Sequence, residues 1–153
     1  MTANLADSFR SGGSGARKTK WHGQVVHSVF QVNVKHGDMI TITRVFASSA
    51  RAQALKVAVD KGNLRANGVL MPIAAIWTHT SPERVVLEVV GRKARSIDLW
   101  NSWSLAGVES SWLNSAGMVV ENNDDAYLLK CSDGLGEPVF EDLVVRVAVT
   151  KSG

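Results

Sequence analysis

Val26-His-Ser-Val-Phe30-Gln-Val-Asn-Val34-Lys is the stretch that decides how the rest of the chain is read. Val26, Ser28, Phe30, Val32 and Val34 fall on one face at a spacing of two, while His27, Gln31, Asn33 and Lys35 take the other. Successive side chains of an extended chain point to opposite sides, so the stretch has the pattern of a strand buried on one face. His36-Gly37-Asp38 punctuates it, and Ile40, Ile42 and Phe46 resume the alternation. Leu55, Val57 and Val59 repeat it ahead of the turn residues Asp60-Lys61-Gly62-Asn63. Residues 73–80 and 84–90 flank Ser81-Pro82-Glu83 and read as a hairpin, its proline at the first turn position. Further strands are expected over 95–103, 117–121, 126–131 and 143–150, the last with Leu143, Val145, Val147 and Val149 inward. Only residues 47–55 look helical, over a short span. About eight to ten strands with regular turn signals predict an all-β fold, an antiparallel β-sandwich or jelly roll.

Composition agrees. The 153 residues are 45% hydrophobic and 20% charged, which excludes a mostly disordered chain and leaves enough apolar material for one core. The net charge of +3 is unevenly placed. Residues 1–20 hold four basic groups (Arg10, Arg17, Lys18, Lys20) against Asp7, so residues 21–153 are neutral. Within those, residues 21–108 carry ten basic and five acidic groups, and residues 109–153 carry three and eight. Ser-Gly-Gly-Ser-Gly at 11–15 lacks any apolar period, so residues 1–20 read as a flexible basic arm before a sandwich domain over 21–153. Arg17, Lys18 and Lys20 suit nucleic-acid phosphate, yet four charges are few and the body adds no surplus. Nucleic acid is therefore not expected except through the arm.

Several chemistries find no foothold. The one cysteine, Cys131, alternates with Tyr127 and Leu129 and reads as a small buried residue, so no internal disulfide is expected. His22, His27, His36 and His79 are dispersed without metal-ligand spacing. No nucleophile elbow, phosphate-binding glycine loop or zinc-protease helix occurs, so the chain reads as non-enzymatic. The first residues lack the apolar segment of a signal peptide, and no run is long enough for a membrane-spanning helix. A cytoplasmic location is the expectation, with leaderless export left open.

Two constellations remain. Asp133, Glu137, Glu141 and Asp142 lie in a glycine-rich turn that enters a strand. Calcium wants about six to eight oxygens, which carboxylates and loop carbonyls supply. These four are the candidate metal ligands, with an ordinary acidic turn as the alternative. The second is Asp98-Leu-Trp100-Asn101-Ser-Trp103 followed by Trp112 and Asn114. An indole offers a flat apolar face to the C–H side of a sugar ring, and amides bind hydroxyls. Trp77 and Trp100 are assigned to core packing. Trp103 and Trp112, in the Ser/Gly/Asn-rich stretch, are the candidate platform, with Asn101 and Asn114 beside them.

Two resemblances bear on this. Trp21-His-Gly23-Gln-Val-Val and His36-Gly37-Asp38-Met-Ile40-Thr-Ile42 resemble the opening strands of the bacterial calcium-dependent, galactose-binding sandwich lectins. Phe140-Glu141-Asp142-Leu143-Val144 is similar to the aromatic-(Asn/Asp)-Asp-Leu-Val ending of bacterial surface-associated sandwich domains, with Glu141 where Asn or Asp is usual. Both imply a sandwich, and both imply calcium. The reading is a lectin-like, calcium-assisted carbohydrate-binding module that forms a homo-oligomer. The alternative is a self-assembling capsid or coat subunit with residues 1–20 as its internal arm.

Overall fold

A computed structural model of the chain describes residues 5–11 and 17–152. Helix α1 (Leu5–Ser11) is followed by β1 (Lys18–Trp21), β2 (Gln24–His27), β3 (Phe30–Asn33), β4 (Met39–Ala47), β5 (Ala52–Val59), β6 (Asn63–Ala66) and β7 (Val69–Met71). Then come β8 (Ile73–Trp77), β9 (Arg84–Val90), β10 (Ser96–Leu105), β11 (Val108–Ser110), β12 (Gly117–Asn123), β13 (Ala126–Ser132) and β14 (Leu143–Thr150). A nine-stranded sheet has the order β1-β2-β12-β13-β14-β4-β9-β6-β7, and a five-stranded sheet combines β11-β10-β5-β8 with β3, which pairs β10. The pairings are antiparallel and the two sheets pack as a sandwich, neither closing into a barrel. Among the described residues no helix is long and apolar enough to cross a membrane.

Period two builds the core. Ile40, Ile42, Leu87, Val89, Leu129, Cys131, Leu143, Val145 and Val147 come from one sheet, and Val32, Leu55, Val57, Ile97 and Leu99 from the other, forming one buried cluster. Each such aliphatic side chain stabilises the fold by about 1.5–3 kcal/mol relative to leaving it in water. Burial also pushes the Cys131 thiol up, with Asp142 nearby adding to the effect, so it packs as an apolar residue.

Some expectations are corrected. The stretch 26–34 is two strands, because the chain leaves the nine-stranded sheet after β2 and joins the five-stranded sheet at β3. Inward parity survives the crossing: Val26, Val32 and Val34 are all buried. Residues 47–55 hold no helix; β4 ends at Ala47, β5 begins at Ala52, and Gln53 and Leu55 both point inward. β8 and β9 do not form a hairpin, since β8 pairs β5 and β9 pairs β4 in the opposite sheet. Ser81-Pro82-Glu83 is thus a sheet-to-sheet crossing, its start fixed by the Thr80 and Ser81 amides on the Trp77 carbonyl. Among the described residues the strand count reaches fourteen because β1, β2, β3, β6, β7 and β11 have only three or four residues, too short to show an alternation.

The region expected as an arm carries structure too. Leu5 of α1 is completely buried, the Ala6 amide donates to the Asn114 carbonyl at 2.7 Å, and β1 pairs β2. Buried Leu5, the Ala6 amide and a bond from Thr19 Oγ1 to the Ser8 carbonyl at 3.2 Å dock the helix against β1 and the 112–117 loop. Residues 12–16, most of the Gly/Ser run, lie outside the described residues.

One buried carboxylate closes the far end of the sandwich. Asp38 has no exposed surface and accepts the amides of Lys35 and Ser152, both at 2.9 Å, with Lys151 Nζ at 3.4 Å. Burial opposes its charge, but these donors outweigh it and hold its carboxyl below the ordinary range. A depressed carboxyl pKa contributes stability above the ordinary carboxylate pKa and loses it as pH falls through the folded value. Asp38→Asn should therefore lower the urea midpoint at neutral pH, by about 1–3 kcal/mol in stability. The gap from the parent should close as pH falls into the range where Asp38 protonates; a gap independent of pH would refute this.

Candidate functional site

The C-terminal end of β10 sorts the candidate side chains. Ile97, Leu99, Asn101 and Trp103 point between the sheets, which sends Trp100 to the outer face of the five-stranded sheet. The assignment of Trp103 to an exposed platform is thereby corrected, while Trp100, assigned to core packing, does pack against the buried cluster from a half-buried position. Trp103 is 3% exposed and lies in the core, whereas Trp100 is only half-buried and faces outward. Apolar Ile97 and Leu99 had already set the parity.

Asn101 is likewise interior at 2% exposure, and its amide donates to the Ser132 carbonyl at 2.9 Å, joining β10 to β13 across the sandwich. Neither Asn101 nor Trp103 reaches solvent to meet a ligand. Gly134 explains how Trp103 fits: a Cβ there would lie 2.4 Å from the indole and 2.9 Å from the Leu113 carbonyl. Gly134→Ala should destabilise the protein by about 1–3 kcal/mol through overpacking and shift tryptophan fluorescence, as read by chemical denaturation.

Trp112 is 51% exposed and sits at φ 59°, so the chain turns sharply there. Its ring stacks on Trp100 with centroids 5.2 Å apart and planes 28° from parallel. Its indole N–H donates to the Ser28 carbonyl at 2.9 Å. The ring is therefore held on one face and at one edge while the rest remains exposed. Ser102 Oγ and Ser111 Oγ, 2.5 Å apart, tie the start of the same loop to β10. Asn114, also exposed and at φ 48°, contributes its carbonyl to the α1 contact.

Polar side chains surround this shelf. Asp98 is two residues from Trp100 on the same face of β10, with Arg17 Nη1 at 3.2 Å and Gln31 Nε2 at 3.4 Å. Lys56 stands opposite Trp100 in the β5–β10 register and bonds Glu109 at 2.9 Å. Outward Trp100 was missed by the sequence reading, as were Lys56, Glu109 and Gln31, which lie far apart in the chain.

The four acidic residues do not converge on one point. Glu137 and Glu141 are exposed. Asp133 has no exposed surface and accepts four donors: Arg51 Nε at 2.8 Å, Arg51 Nη2 at 3.3 Å, Gln53 Nε2 at 3.0 Å and the Leu135 amide at 3.1 Å. These fill the directions in which a carboxylate accepts, so Asp133 is a poor fit to a calcium ligand. Among the described residues no group of three or more His, Cys, Asp or Glu is placed to hold a metal.

Asp142 accepts the Asp133 amide at 2.9 Å. Burial pushes its carboxyl above the ordinary range and the Asp133 charge adds to this, against the pull of that amide and of Arg51. A raised carboxyl pKa contributes stability that is complete below the ordinary carboxylate pKa and is lost as pH rises through the folded value. Asp142→Asn removes that loss. The stability of this variant relative to the parent should rise between pH 4 and pH 7 in denaturant titrations; a flat or falling difference would refute the assignment.

A concavity of about 370 Å³ adjoins the Gln31 side of the shelf, between Gln31, Asn33, Asn122, Asp124, Asp125 and Tyr127. Its ring is committed: Tyr127 packs edge-on against Phe30 at 5.1 Å. An exposed, fixed indole face is presented at Trp112.

The fold and this shelf define an all-β, antiparallel two-sheet protein with an aromatic ledge on one outer face. No family model, curated protein or solved structure matches the chain.

Proposed function

We propose that the protein is a non-enzymatic, lectin-like binding module that takes a sugar ring on the Trp100–Trp112 shelf. The observation that carries this reading is the half-exposed Trp112 ring, stacked on Trp100 and pinned by its N–H to the Ser28 carbonyl. A ring already fixed loses little freedom when a ligand lands on it, which favours binding. Its open surface suits the C–H side of a pyranose. Asp98, Gln31, Lys56 and Glu109 on the same sheet face supply acceptors and donors for hydroxyls around the aromatic centre. An apolar floor with a few placed polar groups is the composition of small-ligand sites.

Calcium has no part in this form of the reading, because Asp133 is occupied by Arg51 and Gln53 and the exposed Glu137 and Glu141 do not join it. The sugar reading takes its ligand contacts from the shelf and none from the Asp133 loop.

A glycan array probed with the wild-type protein, with and without calcium, tests the proposal. Binding is expected to be retained in chelator and to fall at least tenfold in Trp112→Ala. That variant should lose about 1–3 kcal/mol of stability, from the stack, the indole N–H bond and the buried half of the ring. An array without hits, or hits unaffected by Trp112→Ala, would overturn the reading.

A further inference from the structure

Gly68-Val-Leu-Met-Pro-Ile-Ala-Ala-Ile-Trp77 runs ten residues without a charge. It builds β7, the last strand of the nine-stranded sheet, and β8, the last strand of the five-stranded sheet, with only Pro72 between them. Two sheet edges are therefore formed by one apolar segment, in which Val69 is 58%, Leu70 50% and Ile73 51% exposed. A free edge offers unpaired backbone donors and acceptors to any other strand, and proteins normally guard it with Lys, Pro or a bulge. β8 contains no such residue; Pro72 stands just outside it. Beside β8 opens a groove of about 340 Å³ of mixed lining, apolar at Met71, Ile76 and Leu87 and polar at Asn67, Thr80 and Arg84.

We propose that β8 is the contact of a symmetric dimer, in which two copies pair this strand edge to edge and antiparallel about a two-fold axis at Ala75. What fits an unguarded strand edge is another strand, and a second β8 is self-complementary. With no charge in the strand, self-pairing sets no like charges opposite one another. The sizes also match. Ile73, Ala75 and Trp77 share the outer face, since Ala75 lies opposite Lys56 and Trp77 opposite Ala54 in the β5 register. Centring the pair on Ala75 puts small against small at the axis and sets Ile73 opposite the partner's Trp77, twice by symmetry. Aromatic and β-branched pairs of this kind stabilise antiparallel strands. The half-exposed Ile73 gains a cover that the described residues of its own chain do not supply. Such an isologous contact closes on itself. The groove leaves room for the inward side chains of the added strand. This inference stands on the β8 edge alone and is independent of the sugar reading.

Sedimentation equilibrium of the full chain at high micromolar concentration, with two variants, tests it. The wild type is expected to be a dimer. Ala75→Glu sets two carboxylates face to face at the axis, while within its own chain residue 75 sits beside Lys56, so the fold should hold and the dimer should weaken at least tenfold. Ala75→Cys should form an interchain disulfide under mild oxidation. Facing Cα atoms of an antiparallel pair lie about 4.5–5.5 Å apart, within disulfide reach, and the native Cys131 is buried. A monomeric wild type overturns the proposal, whether the edge is empty or serves another protein. So does a dimer that survives Ala75→Glu and leaves Ala75→Cys uncrosslinked. Should Ala75→Glu fail to fold, the cysteine crosslink decides.

Discussion

A carboxylate taken fully out of water is tolerated only when its charge and its lone pairs are both matched. Asp133 meets both conditions with groups that belong to the other sheet. It follows β13 of the nine-stranded sheet, while Arg51 and Gln53 stand at the start of β5 in the five-stranded sheet. The guanidinium matches the charge, and the Leu135 amide uses the remaining direction. Asn101 on the Ser132 carbonyl runs parallel to this contact, one strand over. Two sheets otherwise joined by nondirectional apolar packing are thereby fixed in register at one end.

That end is where the binding ledge forms. The Asp133 loop is held from below by its own carboxylate and from the side by Asp142, which accepts the Asp133 amide and offers its carbonyl to Ser48. Gly134 then leaves room for the Trp103 ring, and the Leu113 carbonyl packs against the same glycine. Ser115 Oγ donates to the Gly136 carbonyl, fastening the 111–116 loop to the Asp133 loop. With Trp103 committed inward, parity along β10 places Trp100 outside, and Trp112 at the start of the fastened loop comes to rest on it. Helix α1 braces the far side of that loop through Leu5 and Ala6. The ledge is thus a consequence of interior packing.

What the sequence made legible follows from what is local. Alternation along 84–90 and 143–150 marks β9 and β14 at their observed limits, because each is long and buried on one face. The reading failed where a decision depends on distant residues. Whether 73–80 and 84–90 pair with each other or with other strands is not written in the turn between them; β5 and β4 decide it. Asp133 looked like a free carboxylate because Arg51 lies 82 positions away. Trp103 looked exposed because its neighbours are polar, yet Ser102 and Asn101 are buried with it, satisfied by Ser111 and the Ser132 carbonyl. The parity of Ile97 and Leu99 was the better guide. The structure of residues 5–11 was hidden for a similar reason: a single leucine gives no periodicity, yet Leu5, with the Ala6 amide and the Thr19 hydroxyl on the Ser8 carbonyl, docks a short helix.

The claim that the Asp133 ion pair holds the loops beneath the ledge is tested most directly by hydrogen exchange on Asp133→Asn. If the account is right, the amides of Leu135, Val139 and Ala116 lose protection together, while those shared by β4 and β14 keep theirs. Unchanged protection in the two loops, or an equal loss across both sheets, would contradict it.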